Sequence, residues 1–338
     1  METVTELKKK LSLPSRDLIK DISELKGDIM ILGIGGKMGP TLGRLAKNAV
    51  KKAKIDKKII GVSRFSREEV RKELESAGIK TIKTDLFQKE SIDKLPDVKN
   101  IIYMVGQKFG TTGREHLTWA INTYLPAKVA EYYKNSRILF FSTGNVYPLT
   151  PVKSGGSTEI TKPDPVGEYA QSCLGRERIF EYFSRKYEIP VLAFRLNYAI
   201  DLRYGVLLDI AQSVKNRETI DLSMGHVNVI WQKDAAEIAL RALSLCNTPP
   251  EILNVTGPEI VSVRWLAEWF GSYFDIEPIF ENEEKKTALL SNAGKANQIF
   301  GYPEVSLLQM LEWTAGWVEK GNPTFDKPTK FGVRKGQF

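Results

Sequence analysis

Short, nearly unbroken apolar runs recur through the first part of the chain, at residues 28–32, 58–62, 100–105, 137–142 and 190–195, with a short, more polar one at 79–83. Between them lie longer segments whose apolar residues return every three or four positions. Leu42, Leu45, Ala46, Ala49 and Val50 do so after the first run, and 66–77, 115–134 and 167–187 show the same pattern later. The short runs predict strands and the periodic segments predict helices. Strands that are apolar throughout predict a parallel sheet buried on both faces. The fold class implied is α/β, a doubly wound parallel sheet. Pro126 marks a kink or break within the segment 115–134.

After Asn197 the alternation weakens. Helical patterns cover 206–215, 234–245, 263–274, 293–300 and 306–319, and strands are predicted at 227–230 and 251–255. These segments predict a smaller C-terminal α/β cap that binds substrate, formed by 201–226 and 251–320, on a main domain of 28–200 and 227–250. Residues 1–27 read as a charged helical extension, with Ser15 capping a helix over 16–25 whose Leu18, Ile19, Ile22 and Leu25 share a face. Residues 321–338 are rich in Gly, Pro and Lys and read as an irregular tail.

The first apolar run ends in a glycine turn, Gly33-Ile34-Gly35-Gly36-Lys37-Met38-Gly39, and a helical pattern follows at once. In this context, glycines spaced three apart hold the pyrophosphate of a dinucleotide. Gly33 permits the tight turn, Gly36 lets the backbone approach the pyrophosphate, and Gly39 lets the helix sit close to the strand. The helix start then offers free N–H groups and the positive end of its dipole. The sheet is thereby predicted to be Rossmann-like, and Gly35, Lys37 and Met38 join the three glycines as cofactor contacts.

Composition narrows the partners. Net charge is +8, but the basic residues are spread among acids, so a small anionic substrate is expected and nucleic acid is not. No stretch approaches the ~18 apolar residues of a membrane span, and the charged N-terminus has no signal-peptide core. Two cysteines without metal spacing and two histidines predict no metal site and a reducing, cytoplasmic setting.

The second run ends Gly61-Val62-Ser63-Arg64, where an NAD site of this kind usually carries a carboxylate for the adenosine ribose. Arg64 is placed to pair with a 2′-phosphate, Ser63 to donate a hydrogen bond, and Lys37 to add charge nearby. The predicted cofactor is therefore NADP, with NAD the alternative. Asp85 and Leu86 are placed beside the adenine, and Met104, Val105 and Gly106 along the cofactor. Arg203, after the last of these strands, is a candidate to grip a phosphate or carboxylate of the substrate.

Taken in order, the glycine turn, Asp85-Leu86, Asn122, Ser142-Thr143-Gly144-Asn145-Val146-Tyr147, Tyr169 and Arg195-Leu196-Asn197 resemble the extended short-chain dehydrogenase/reductases. More narrowly, the chain resembles the NAD(P)-dependent nucleotide-sugar epimerase/dehydratase group. Asn228 to Ala236 and Asn254-Val255-Thr256-Gly257-Pro258 match its C-terminal part, and the likeness covers roughly residues 28–320. It implies Asn122 and Asn197 as cofactor residues, and Thr143 and Tyr169 as catalytic residues on the reacting oxygen. Asn145 stands where dehydratases carry a Glu, so it is a substrate candidate and the acid for water elimination is absent. The resemblance also implies a homodimer through the helices at 115–134 and 167–187.

One position departs from the pattern. The family's Lys, four residues after the Tyr, is here Cys173. Residues four apart share a helix face, so an ammonium there lowers the Tyr pKa and holds the nicotinamide ribose. Without it, Tyr169 stays near its reference value of about 10, and only about one in a thousand is phenolate at pH 7. Protonated, it still donates to a carbonyl oxygen in a reduction. Three readings are open: a cation from Arg176, Lys108, Lys153 or Lys162 substitutes; Cys173 itself takes part in catalysis; or redox chemistry is lost. The corresponding functions are an NAD(P)-dependent oxidoreductase or epimerase of sugars, nucleotide-sugars or related keto/hydroxy compounds, and a catalytically impaired dinucleotide-binding regulator or scaffold.

Overall fold

The chain is described by a computed structural model over residues 1–110 and 113–337. It begins with α1 (Val4–Leu11) and α2 (Arg16–Glu24); the Ser15 side chain caps α2 by accepting from the Leu18 N–H. The glycine turn lies between β1 (Ile29–Leu32) and α3 (Gly39–Ala53). β2 (Ile59–Ser63), α4 (Glu68–Ser76), β3 (Lys80–Lys83) and β4 (Asn100–Tyr103) follow. The segment predicted as one long helix is α5 (Glu115–Trp119), a π-helical turn over Ala120–Tyr124, and α6 (Leu125–Tyr132). Pro126 has no N–H to give the preceding turn, and the wider turn takes up the mismatch.

Next come β5 (Arg137–Thr143), β6 (Thr150–Pro151), α7 (Gly167–Tyr187) and β7 (Val191–Leu196). The remainder comprises β8 (Ala199–Ile200), α8 (Val206–Lys215), β9 (Thr219–Asp221), β10 (His226–Val227), β11 (Ile230–Trp231) and α9 (Gln232–Arg241). It continues through β12 (Glu251–Val255), β13 (Val261–Ser262), α10 (Val263–Phe274), β14 (Ile279–Glu281), β15 (Thr287–Ala288), α11 (Gly294–Phe300) and α12 (Leu307–Glu319).

The central sheet has seven strands in the order β12-β7-β5-β4-β1-β2-β3, and every pairing is parallel. This is the Rossmann-like doubly wound sheet. Strands β1, β4 and nearly all of β5 are buried, because helices cover both faces: α2, α3 and α9 on one, α6 and α7 on the other. The order reverses between β1 and β4, the place where open α/β sheets take their ligands. A second core joins α8, α10 and α12 around Trp231 and Trp317, with Leu7 and Leu11 of α1 packed into it.

Two expectations need correction. Glu251–Val255, assigned to the cap, is an outer strand of the central sheet, in register with Leu192–Leu196. The stretch 227–230 is not one strand: Val227 pairs with Val261, and Ile230 pairs with Ala199.

Candidate cofactor and active site

The glycine turn is built as its spacing requires. Gly33 has φ +92°, and a Cβ there would stand 3.0 Å from the backbone of Met104 and Val105. At Gly39 a Cβ would overlap the Ile34 carbonyl oxygen at 2.2 Å, so the start of α3 lies against the turn. Gly36 meets nothing closer than 3.4 Å, which leaves open room for a ligand. Met38, the N-cap of α3, provides no capping side chain, and the first turn carries no acid. The first-turn amides therefore lack a side-chain partner and suit a phosphate.

Two cavities flank this turn. The larger, about 700 Å³, is lined by Gly35, Ser63, Arg64, Asp85, Leu86 and Val105. The smaller, about 390 Å³, is lined by Lys37, Met38, Thr143, Asn145, Tyr169 and Asn197. Both include Gly33, Gly36, Met104 and Gly106, so an elongated ligand spanning them has its middle over the glycines. Both volumes are in the ordinary range for small-molecule sites. The residues fit a dinucleotide.

Several predicted residues have other tasks. Lys37 does not face Arg64: its ammonium lies 3.4 Å from the centre of the Tyr204 ring and 4.8 Å from that of Phe109, in the smaller cavity. Burial there brings its pKa down to about 8, and Lys327 and Lys108 add to the shift. Asn122 is fully buried and lines neither cavity. Its side chain accepts from Gln107 N–H (3.0 Å) and Arg176 Nη2 (2.7 Å), and donates to Gln107 O (3.1 Å) and Ser172 Oγ (2.9 Å). That exhausts an amide's capacity, so Asn122 positions the loop after β4.

Arg203 is not in the cavity with Tyr169. It pairs with Asp201 at 2.6 Å, covers the ring of Phe325, and lines a separate cavity of about 500 Å³. Cys173 is buried among Val146, Tyr147 and Tyr169 and lines neither cofactor cavity. Lys153 and Lys162 are exposed and line neither cavity.

The Thr143 hydroxyl donates to Asn145 Oδ1 (3.0 Å) and accepts from the Asn145 N–H (3.1 Å), which fixes it at the end of β5. It is also a hydrogen-bond partner of Tyr169, as is Cys173. Burial pushes the Tyr169 phenol well above its ordinary value. Cys173 adds to the rise, while Arg176 and Thr143 oppose it. Burial likewise raises the Cys173 thiol.

Beneath the pair lies a buried network that sequence reasoning missed. Arg195 bridges Glu177 bidentately (Nη2–Oε2 2.6 Å, Nε–Oε1 2.9 Å), and its Nη1 donates to Tyr147 Oη at 2.7 Å. Ser142 Oγ donates to Glu177, and Tyr147 Oη to Asn254 Oδ1 at 2.9 Å. An arginine within an apolar strand run was the available signal. The tail was also missed. Thr329 lines the smaller cavity while donating to Asp209, and Gly336 packs on Gly167 at the start of α7. Among the described residues, no His, Cys, Asp or Glu group has metal-site geometry. Among the described residues, no helix is long and apolar enough to cross a membrane.

The glycine turn, the topological switch and the paired cavities define a dinucleotide-binding protein. The particular family is given by the family model for the NAD dependent epimerase/dehydratase family, which matches residues 29–255. The chain belongs to that family. Solved structures agree on the fold. MoeE5, in complex with UDP-glucose and NAD, is 15% identical with a TM-score of 0.70, over 87% of this chain and 99% of that one. UDP-glucuronic acid 4-epimerase from Bacillus cereus, in complex with NAD, is 17% identical with a TM-score of 0.72, over 87% and 99%. UDP-glucose 4-epimerase from Thermotoga maritima, with UDP-glucose, is 16% identical with a TM-score of 0.71, again over 87% and 99%. No curated protein sequence matches the chain.

Proposed function

We propose that this chain binds NADP, or NAD as the second choice, along the two cavities, and moves hydride to or from a carbon of a nucleotide-sugar or related keto or hydroxy compound. The observation that carries this reading is the Thr143–Tyr169 hydroxyl pair, set in the wall of the cavity that the glycine turn also lines. Bound nicotinamide supplies or accepts the hydride. Thr143 orients the reacting oxygen. Tyr169, held protonated by burial, donates to that oxygen during reduction. The UDP-sugars and NAD bound by MoeE5 and by the Bacillus cereus epimerase support the substrate class.

Cys173 favours a second reading, a dinucleotide-binding regulator without turnover. Incubating the protein and cofactor with a panel of UDP-sugars and keto-sugars, followed by chromatography, separates the two. Conversion by the wild type and none by Tyr169→Phe supports the enzyme. Cofactor binding with no conversion by either the wild type or Cys173→Lys supports the regulator.

The NADP preference rests on Arg64, exposed at the rim of the larger cavity beside Ser63. A charge-assisted hydrogen bond contributes about 1.5 kcal/mol or more, roughly tenfold in affinity. Calorimetric titration of Arg64→Ala is expected to show about tenfold weaker NADPH binding, with NADH within about twofold of the wild type. Equal wild-type affinities, unchanged by the substitution, rule out a 2′-phosphate contact.

A further inference from the structure

A half-buried phenol that must exchange a proton needs a positive charge nearby, and α7 places a thiol where its own helix face meets Tyr169. Two cations come close. Arg176 is buried on the sheet side, with Nη1 donating to Phe141 O (2.7 Å), Nε to Asn122 O (3.2 Å) and Nη2 to Asn122 Oδ1 (2.7 Å). It lines neither cavity, so it acts on the phenol only from behind. Lys108 differs. It lines the smaller cavity, with its Nζ 5.8 Å from the centre of the Tyr169 ring and 5.5 Å from that of Phe109. Lys108 and Cys173 are near enough to perturb each other's ionisation. The loop carrying Lys108 is held at its entry, since both backbone groups of Gln107 are bonded to the Asn122 amide.

We propose that Lys108, reaching in from the loop after β4, supplies beside Tyr169 the positive charge that the helix lacks at Cys173, and holds the ribose of the bound nicotinamide dinucleotide. The ammonium thus comes from a different element but serves the same hydroxyl pair. Partial burial weakens water's screening of that charge and brings the Lys108 pKa down to about 8. Lys37, across the same cavity, is held over Tyr204 instead. Asn122 becomes a positioning residue for this cation. The inference rests on the cofactor reading above.

The test is fluorescence titration of the full chain with NADPH and NADH, using the wild type, Lys108→Gln, Lys108→Arg and the double variant Lys108→Gln/Cys173→Lys. Loss of a charge-assisted contact is expected to weaken the Lys108→Gln variant about tenfold for both dinucleotides. Restoring an ammonium from the helix in the double variant is expected to bring affinity back to within about threefold of the wild type. If thermal melting shows that the double variant does not fold, Lys108→Arg decides, since it keeps the charge and should bind more tightly than Lys108→Gln. An unchanged Lys108→Gln, or a folded double variant as weak as the single, overturns the proposal while leaving the cofactor reading intact. A wild type that binds neither dinucleotide overturns both.

Discussion

Tyr169→Phe should lower turnover by about 10²- to 10⁴-fold, the usual contribution of a positioned proton donor, while cofactor affinity changes little. On the function proposed above the phenol gives a proton to the reacting oxygen, and its partner Thr143 is fixed by two bonds to Asn145 that do not involve Tyr169. Phenylalanine fills the same space against the cluster of Val146, Tyr147 and Cys173, so packing survives. Because burial raises Tyr169 well above its ordinary pKa, it is an acid at neutral pH, and reduction of a ketone should suffer at least as much as oxidation of an alcohol. The check is kcat in both directions beside the Kd of NADPH. A kcat within about threefold of the wild type removes Tyr169 from the chemistry.

Glu177→Leu should destabilise the fold by about 3–5 kcal/mol, the usual cost of leaving one member of a buried ion pair uncompensated. Arg195 would keep its Tyr147 bond but lose both bonds to Glu177, and both charged side chains are almost wholly buried, at 3% and 7% exposure. The damage reaches the site, because Ser142 also donates to Glu177 and immediately precedes Thr143 on β5. Replacing both partners, as Glu177→Leu with Arg195→Met, should recover most of the loss, since apolar groups of similar volume need no compensation. Urea unfolding of the two single variants and the double completes the cycle. A Glu177→Leu midpoint equal to the wild type's contradicts the assignment.

What was legible in the sequence follows from how local each signal is. The glycine turn, the buried strands and the start of α7 are set by patterns within a few residues, and the structure has them, except that the edge strand β3 is not buried. The split of the long helix was signalled by Pro126, although the π-helical turn at Asn122 was not. The missed features depend on tertiary geometry. Glu251–Val255 carries an ordinary short-strand pattern, and nothing in it says which sheet it joins. The position of Lys37 was plain, but its direction is set by Tyr204 and Phe109, distant in sequence. Arg203 looked free because its Asp201 pairing is a local loop conformation. Thr329 lies in a tail without periodicity, so no pattern marked it. Lys108 was one of four candidate cations, and only packing separates it from Arg176, Lys153 and Lys162.

The central claim is that Thr143 and Tyr169 serve hydride transfer in the cavity beside the glycine turn. Its most direct test is single-turnover absorbance at 340 nm, with enzyme-bound NADPH or NADH mixed with a panel of keto-sugars and 4-keto nucleotide-sugars. The predicted result is loss of the reduced-cofactor absorbance in the wild type with at least one substrate, and about 10²-fold slower loss in Tyr169→Phe. Tight cofactor binding with no absorbance change for any substrate, or equal rates in the two proteins, contradicts it.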